Sequence, residues 1–284
     1  MQSTLGNLPE LFVVIFALQS GALVVAQTAI VGSIFANGLL VLGIVFVIGA
    51  RRAPDGVMRF KVKLPKDTAT LLQVTVFILV LVALAVTTHN VASRHIEAIS
   101  AVGAVCLLGV YLAWVVRYAR EDKVEEGREL APRISLGATL ALLVVAGVAS
   151  AFVSDWFVNA LEPAIHVLNI SPAFAGIVII AIAGNAVENF TALSMAGRGR
   201  ADLAISVVKN SVAQIAAFLY PLLVLISFAL HTRLTFTLPP VYIGALLLTT
   251  LALDQITSDG EAAEFEGWAL VALYVILAVV ALFE

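Results

Sequence analysis

Nine apolar runs, separated by short polar connections, constrain the fold of this chain more than any other feature. They cover residues 4–25, 28–50, 69–88, 96–116, 134–153, 172–195, 203–228, 240–254 and 267–283, of which 240–254 is the shortest. A helix of about 20 apolar residues crosses the hydrocarbon core of a bilayer, which is about 30 Å thick. The sequence therefore predicts an all-α, polytopic membrane protein with about nine transmembrane helices.

The composition supports a protein that is surrounded by the lipid bilayer. Hydrophobic residues make up 61% of the 284 positions and charged residues 12%, about half of the roughly 25% that is typical of soluble domains. The mean hydropathy is +1.05. The sequence carries no phosphate-cradling loop, nucleophile triad, zinc-ligand spacing or basic nucleic-acid patch. We therefore expect neither an enzyme nor a nucleic-acid-binding protein, and no bound cofactor.

The basic residues predict how the chain is oriented in the membrane. Thirteen of the sixteen lysines and arginines lie in the connections 51–66 and 117–133 and at Arg198 and Arg200. Two apolar runs separate each of these connections from the next, so all three fall on one side, which the positive-inside rule assigns to the cytoplasm. We therefore expect a multi-pass protein of the cytoplasmic membrane, with its N-terminus inside the cell and its C-terminus outside.

A carboxylate lies in the middle of one apolar run. The pattern Gly-Asn-x-x-Glu ends there at Glu188, and the same pattern ends at Glu10 near the start of the chain. A charge at this depth costs at least about 2.5–3.5 kcal/mol on insertion scales, so charged residues within membrane spans are usually functional. The repetition of the pattern predicts two related copies of one site.

The repeat extends beyond this pattern. The offset that relates Glu10 to Glu188 also carries Gly32-Ser33 to Asn210-Ser211, and Asn37 lies one residue from the counterpart of Gln214. The two carboxylate helices are the first and the sixth predicted spans, so the copies thread the membrane in opposite directions. Inverted repeats whose sites meet near the midplane are typical of secondary transporters. We predict a first repeat at 1–118, a charged linker at 119–133 and a second repeat at 134–284.

The polar residues of the two copies form one candidate site for cations and protons. Asparagine precedes glutamate by three residues in both copies, so each pair shares a helix face. Pro9 lacks a backbone donor and is expected to free a carbonyl oxygen within a span. Oxygen ligands suit Ca²⁺, or Na⁺ and protons, rather than soft metals. The predicted site residues are Glu10 and Glu188 as the metal-binding carboxylates, with Asn7, Asn185, Ser33, Ser211, Asn37 and Gln214. Alternatively, both glutamates are protonated and only hydrogen-bond neighbouring helices.

The motifs resemble those of the cation exchanger superfamily, and most closely its Ca²⁺/H⁺ exchanger branch. The first motif is Gly6-Asn7-Leu8-Pro9-Glu10-Leu11 with Gly32-Ser33-Ile34-Phe35-Ala36-Asn37, and the second is Gly184-Asn185-Ala186-Val187-Glu188 with Ser211, Gln214-Ile215 and Pro221. The resemblance covers essentially the whole chain. It implies that Glu10 and Glu188 bind cations and protons in a bundle whose two repeats rock to alternate access.

Three departures from the family pattern bear on function. The family usually has eleven spans, two of them before the first motif, so this chain either starts too late or is a remnant. Asn189 replaces a family histidine, and asparagine cannot take up a proton near neutral pH, which puts proton coupling through this position in question. Lys209 replaces a small residue. Its ammonium either extends to the cytoplasm or pairs with Glu188, and the latter would favour a monovalent ion.

The sequence thus predicts an antiporter that exchanges a cation, with Ca²⁺ favoured, for protons by alternating access. An exchanger for Na⁺ or another monovalent cation is the alternative within transport. A truncated, transport-inactive membrane protein is the alternative outside it, and a homo-oligomer is possible in either case. Away from the site, Asp155, Glu162 and His166 are expected to be ordinary loop residues, although the two acids would also attract cations.

Overall fold

The computed structural model describes residues 7–125 and 135–284, which are almost entirely helical. The helices are α1 (Leu8–Gln19), α2 (Leu23–Arg52), α3 (Lys63–Thr87), α4 (Ile96–Glu125), α5 (Leu136–Leu168), α6 (Pro172–Gly184), α7 (Ala186–Gly197), α8 (Ala201–Ser227), α9 (Pro240–Thr257) and α10 (Glu264–Leu282). A 3₁₀ turn at Val91–His95 leads into α4. The strands β1 (Val57–Arg59) and β2 (Glu261–Ala263) form an antiparallel ribbon. The predicted linker lies partly in α4, and its residues 126–134 are outside the described ranges.

The helices confirm a polytopic membrane protein. Seven of them are long and apolar enough to cross a membrane, namely α2, α3, α4, α5, α8, α9 and α10. The predicted span 172–195 is a pair of helices, α6 and α7, bent by 62° at Asn185, which gives up to eight spans among the described residues. The predicted span 4–25 begins outside the described ranges, and its described helix, α1, has 12 residues.

The backbone repeats with the offset that the sequence predicts. The offset from Glu10 to Glu188 carries both ends of α1 onto the ends of α7, and it carries the start of α2 onto the start of α8. The turns between these helices use Gly21 and Gly199, with φ of 81° and 73°, because a left-handed residue is easiest for glycine. A π-helical segment interrupts α2 at Ala36–Val41 and α8 at Ile215–Leu219. The likeness of the two copies therefore includes their irregular turns.

Close backbone contacts hold the bundle together. A Cβ added to Gly32 of α2 would lie 2.5 Å from Cα of Ile177 in α6, so only glycine allows these helices to approach so closely. At the crossing of α2 and α10, a Cβ on Gly43 or on Gly267 would lie 2.6 or 2.5 Å from the carbonyl oxygen of the other glycine. Small residues at crossings are typical of helices packed in membranes.

The β-ribbon lies at one end of the bundle, which we call the basic end. Arg51 and Arg59 form ion pairs with Glu264 and Glu261 at 2.6 and 3.1 Å. The Arg59 guanidinium also contacts Asp55 at 2.6 Å and lowers the pKa of that carboxyl. Gly199, in the turn between α7 and α8, lines the same small cavity as Arg59. Two of the three predicted basic connections therefore meet at one end of the molecule.

Candidate functional site

The first predicted carboxylate, Glu10, is buried in the first turn of α1. Its side chain is 3% exposed, and neither carboxyl oxygen has a hydrogen-bond partner among the described residues. A purely structural role for Glu10 would require a hydrogen bond from its carboxyl group to a neighbouring helix, and the described helices provide none. A buried polar group without a partner is costly, so these oxygens are suited to a ligand from outside the chain.

The second carboxylate, Glu188, occupies the equivalent first turn of α7 and is half-buried. Gly184, at the end of α6 and four residues before Glu188, packs against the first carboxylate, because a Cβ there would lie 3.1 Å from Oε1 of Glu10. The structure therefore brings Glu10 against the motif that carries Glu188. The other motif glycine, Gly6, lies outside the described residues.

Asn185 organises the polar residues around the break between α6 and α7. Its Nδ2 donates to Ser33 Oγ at 3.0 Å and to the Ala181 carbonyl at 2.9 Å. Its Oδ1 accepts from Asn37 Nδ2 at 3.0 Å and from Ser211 Oγ at 3.4 Å. Asn185 is fully buried, so these bonds join α2, α6 and α8 at a single side chain.

The equivalent asparagine of the first copy, Asn7, makes the reciprocal contact. Its Nδ2 donates to Oε1 of Gln214 at 3.1 Å, as Asn185 of the second copy accepts from Asn37 of the first. Asn7 and Asn185 also share a backbone conformation, with φ of −93° and −96°. Each copy thus forms a hydrogen bond with a side-chain amide of the other copy, as expected of two units related by a twofold axis.

All eight predicted site residues therefore belong to one polar cluster between α1, α2, α6, α7 and α8. Its donors are carboxyl, amide and hydroxyl groups, and Oδ1 of Asn37 is a further buried oxygen without a partner in the described ranges. Such an oxygen-only set suits a hard cation, as the residue types predict. A carboxyl that has released the cation can accept a proton in its place.

The role predicted for Pro9 stays a prediction. This residue lies in the first turn of α1, and the carbonyl that its missing N–H would free belongs to Leu5, which lies outside the described residues. Its own carbonyl accepts a hydrogen bond from Ser154 Oγ of α5 at 3.3 Å. Ser154 thereby contacts the backbone next to Glu10. The sequence does not predict a role for Ser154, because a single small hydroxyl residue in a long apolar helix has no distinguishing pattern.

Neither arrangement predicted for Lys209 is present. Its side chain is 1% exposed, so it does not extend to solvent, and Nζ has no hydrogen-bond partner within residues 7–125 and 135–284. The charged residue that acts on it is Asp254 of α9, not Glu188. Asn189, next to Glu188, likewise has a buried Oδ1 without a partner among the described residues.

Comparison with known proteins agrees with this geometry. The family model described as "Sodium/calcium exchanger protein" matches residues 3–118 and 138–283. A Ca(2+)/H(+) antiporter of Synechocystis sp. is 32% identical over 308 residues, covering 100% of this chain and 82% of the relative. One from Aphanothece halophytica is 28% identical over 296 residues, covering 98% of this chain and 79% of the relative.

Among solved structures, native YfkE superposes with a TM-score of 0.76 at 25% identity, covering 98% of this chain and 81% of that one. The similarity thus includes both copies of the repeat and the cluster between them. The chain belongs to the sodium/calcium exchanger protein family, within which it groups with the Ca²⁺/H⁺ antiporters.

Proposed function

We propose that this protein is a secondary active antiporter that exchanges Ca²⁺ for H⁺ across the membrane by alternating access. One observation carries the proposal: Glu10 is buried without a hydrogen-bond partner in the described chain, and it packs against Gly184 of the motif that carries Glu188, where the two copies of the repeat join. The relatives named as Ca(2+)/H(+) antiporters support this choice of ions. Exchange of this kind needs no cofactor and no enzymatic chemistry.

The charge of the cluster favours a divalent cation. Neither the Glu10 carboxyl oxygens nor Nζ of Lys209 has a hydrogen-bond partner among the described residues, so this ammonium does not neutralise Glu10. Two carboxylates without a neighbouring ammonium balance one Ca²⁺. The argument for a monovalent ion depended on Lys209 reaching Glu188, so it loses its support.

The same two carboxyls provide the exchange step. With Ca²⁺ bound, both are ionised and their mutual repulsion is neutralised by the ion. After Ca²⁺ leaves, a proton on each of the two carboxyls removes the buried charge, so the protonated cluster is as neutral as the Ca²⁺-loaded one and either form can be turned toward the other side of the membrane. Since the cluster lies between two inverted copies, rocking of one against the other would open it to each side in turn.

For the membrane orientation, we propose that the basic end faces the cytoplasm. The ribbon and the turn at Gly199 bring arginines together there, as the positive-inside rule requires. The N-terminus would then be cytoplasmic and the C-terminus extracytoplasmic. Cysteine labelling of single-cysteine variants in intact cells, placed at Asp259 and at Phe283, tests the two sides.

Ca²⁺-driven proton flux into proteoliposomes, followed with a pH-sensitive dye, tests the function. We expect flux in the wild type and background flux in Glu10→Gln and Glu188→Gln, because each change removes one ionisable ligand. Glu97→Gln is the matched control, since Glu97 is an exposed helix residue paired with Arg233. Wild-type flux in either site variant would remove that glutamate from the mechanism.

Flux driven by Na⁺ but not Ca²⁺ would favour the monovalent exchanger, and Ca²⁺ binding without any flux would favour the transport-inactive protein.

A further inference from the structure

A small cavity at the basic end lies between the two copies of the repeat. Its volume is about 280 Å³, and its lining includes Arg52 at the end of α2 and Arg59 of β1. Gly199 and Ala201, at the turn into α8, line it from the other side. Since α2 belongs to the first copy and α8 to the second, a ligand in this cavity would contact both copies.

The two arginines that line the cavity differ in their neighbours. The Arg59 guanidinium is paired with both Asp55 and Glu261, so its charge is already balanced. Arg52 is exposed and forms no ion pair with any acid of residues 7–125 and 135–284. Its guanidinium therefore leaves an uncompensated positive charge at the cavity.

The turn between α7 and α8 adds positive charge at the same place. Arg198 and Arg200 of this turn are exposed, and within the described part of the chain neither forms an ion pair. The neighbouring acid, Asp202, accepts a hydrogen bond from the backbone N–H of Lys61 at 2.8 Å. Ala201 begins α8, whose first N–H groups lack helical partners and carry partial positive charge. Together these groups favour an anionic ligand.

An exposed tryptophan indicates that this end of the bundle lies at the membrane surface. Trp268, near the start of α10, is 50% exposed. The guanidinium carbon of Arg51 lies 5.9 Å from the centroid of its ring, and Arg52 is the next residue. Tryptophan is enriched at the level of the lipid headgroups. We therefore expect the cavity to open at the level of the phospholipid phosphates.

We propose that this cavity binds the phosphate group of an anionic phospholipid, with Arg52, Arg198 and Arg200 as the binding residues. Guanidinium groups bind phosphate through paired, charge-assisted hydrogen bonds, and basic pockets between membrane helices on the cytoplasmic side bind lipid headgroups. The walls at Ala53 and Met58 are apolar, which suits the carbon atoms next to a lipid phosphate better than a free phosphate ion. The bound lipid would join the two copies and stabilise the fold, whichever ion is transported.

The experiment measures lipid binding to the full-length protein in detergent, by native mass spectrometry and by thermal unfolding. The probes, added at equal concentration, are phosphatidylglycerol, which is anionic, phosphatidylcholine, which is zwitterionic, and inorganic phosphate. We expect phosphatidylglycerol to bind and to raise the unfolding temperature, and the other two to have much smaller effects. An equal effect of phosphatidylcholine would overturn the preference for an anionic lipid. An equal effect of inorganic phosphate would overturn the assignment to a lipid.

Arg52→Gln removes the uncompensated guanidinium and should weaken phosphatidylglycerol binding about tenfold, as loss of a hydrogen bond to a charged group does. Arg198→Gln should have a similar effect from the other side of the cavity. Thermal unfolding of each variant without lipid checks that the fold is retained, as expected for exposed side chains. Wild-type binding in both variants would overturn the proposal.

Arg120→Gln is the matched control, because it removes the same charge from the same end of the bundle. Arg120 is exposed in the last turns of α4, and Trp114 of this helix donates a hydrogen bond to Asp67, near the start of α3, at 3.4 Å. Since Arg120 does not line the cavity, its replacement should leave binding unchanged. A loss equal to that in Arg52→Gln would show diffuse attraction instead of a site. No ion gradient is used, so failure of the proposed exchange would leave this result unaffected.

Discussion

Asn185 and Asn7 occupy equivalent positions in the two copies, yet their hydrogen bonds within the described residues differ. Asn185 joins two serines, an amide and a carbonyl, whereas among residues 7–125 and 135–284 Asn7 donates one bond, to Gln214. We expect Asn185→Ala to reduce the free energy of unfolding more than Asn7→Ala, because each buried group left unpaired costs about 1–3 kcal/mol. Denaturant unfolding of the two variants in the same detergent measures the difference, and an equal or smaller loss in Asn185→Ala would contradict it.

Lys209 is a buried charge whose benefit to stability is doubtful on physical grounds. Val31, its counterpart in the first copy, shows that an apolar side chain fits at this position of the repeat, where it is fully buried. We expect Lys209→Met to leave stability unchanged or to raise it, since a buried ammonium without a hydrogen-bond partner in the described residues is costly.

The control for Lys209 is Asp254→Asn. Asp254 is an exposed residue of α9, so removing its charge should change stability less than removing the buried ammonium. Thermal unfolding of the two variants measures these effects. Destabilisation by Lys209→Met would show that the ammonium itself is needed.

At the level of elements, the sequence predicts where helices occur better than how they are interrupted. The run 172–195 is continuously apolar except for its polar motif, so it predicts one span. The observed break arises because Asn185 bonds side chains of α2 and α8, which are distant in sequence. The π-helical segments have no residue signature of their own. The Lys209 prediction was incorrect for a similar reason, since the burial of its side chain depends on neighbouring helices that are distant in sequence.

The glycine at the crossing of α2 and α6 offers a test of element packing. We expect Gly32→Ala to destabilise the fold and abolish flux, because its Cβ would meet backbone atoms of Ile177 that cannot move aside alone. Gly109→Ala in α4 is the matched control, since nothing lies within 4 Å of a Cβ there. Thermal unfolding and flux should be unchanged in Gly109→Ala. Wild-type behaviour of Gly32→Ala would show that α2 and α6 need not approach so closely.

For the whole molecule, the repeat was the most predictive feature of the sequence, because polar residues within membrane spans are retained chiefly where they are needed. The shared offset relates the carboxylates, asparagines and serines of the two copies and brings Asn37 within one residue of the counterpart of Gln214, and six of these eight residues are hydrogen-bonded across the copies or to Asn185. It could not predict that the copies exchange partners, Asn7 with Gln214 and Asn37 with Asn185. Such pairing depends on the angle at which the two copies cross.

If the cluster binds Ca²⁺, the ion should stabilise the entire fold. A ligand present at 100 times its dissociation constant adds about 2.7 kcal/mol, so Ca²⁺ should raise the unfolding temperature of the wild type and a chelator should reverse the rise. Glu10→Gln should show no such shift, whereas Glu97→Gln should respond as the wild type does. A shift of equal size in Glu10→Gln would place the stabilising Ca²⁺ elsewhere.

The ribbon at the basic end has a mechanical consequence. It fastens the connection after α2 to the one before α10, while Gly43 and Gly267 bring the two helices into backbone contact within the bundle. Two contacts at different positions along the helices, the ribbon and the glycine crossing, prevent one helix from rotating relative to the other. We therefore expect α2 and α10, one helix from each copy, to stay together during turnover, so that the rocking of the copies takes place between their other helices, with bending at joints such as the kink at Asn185.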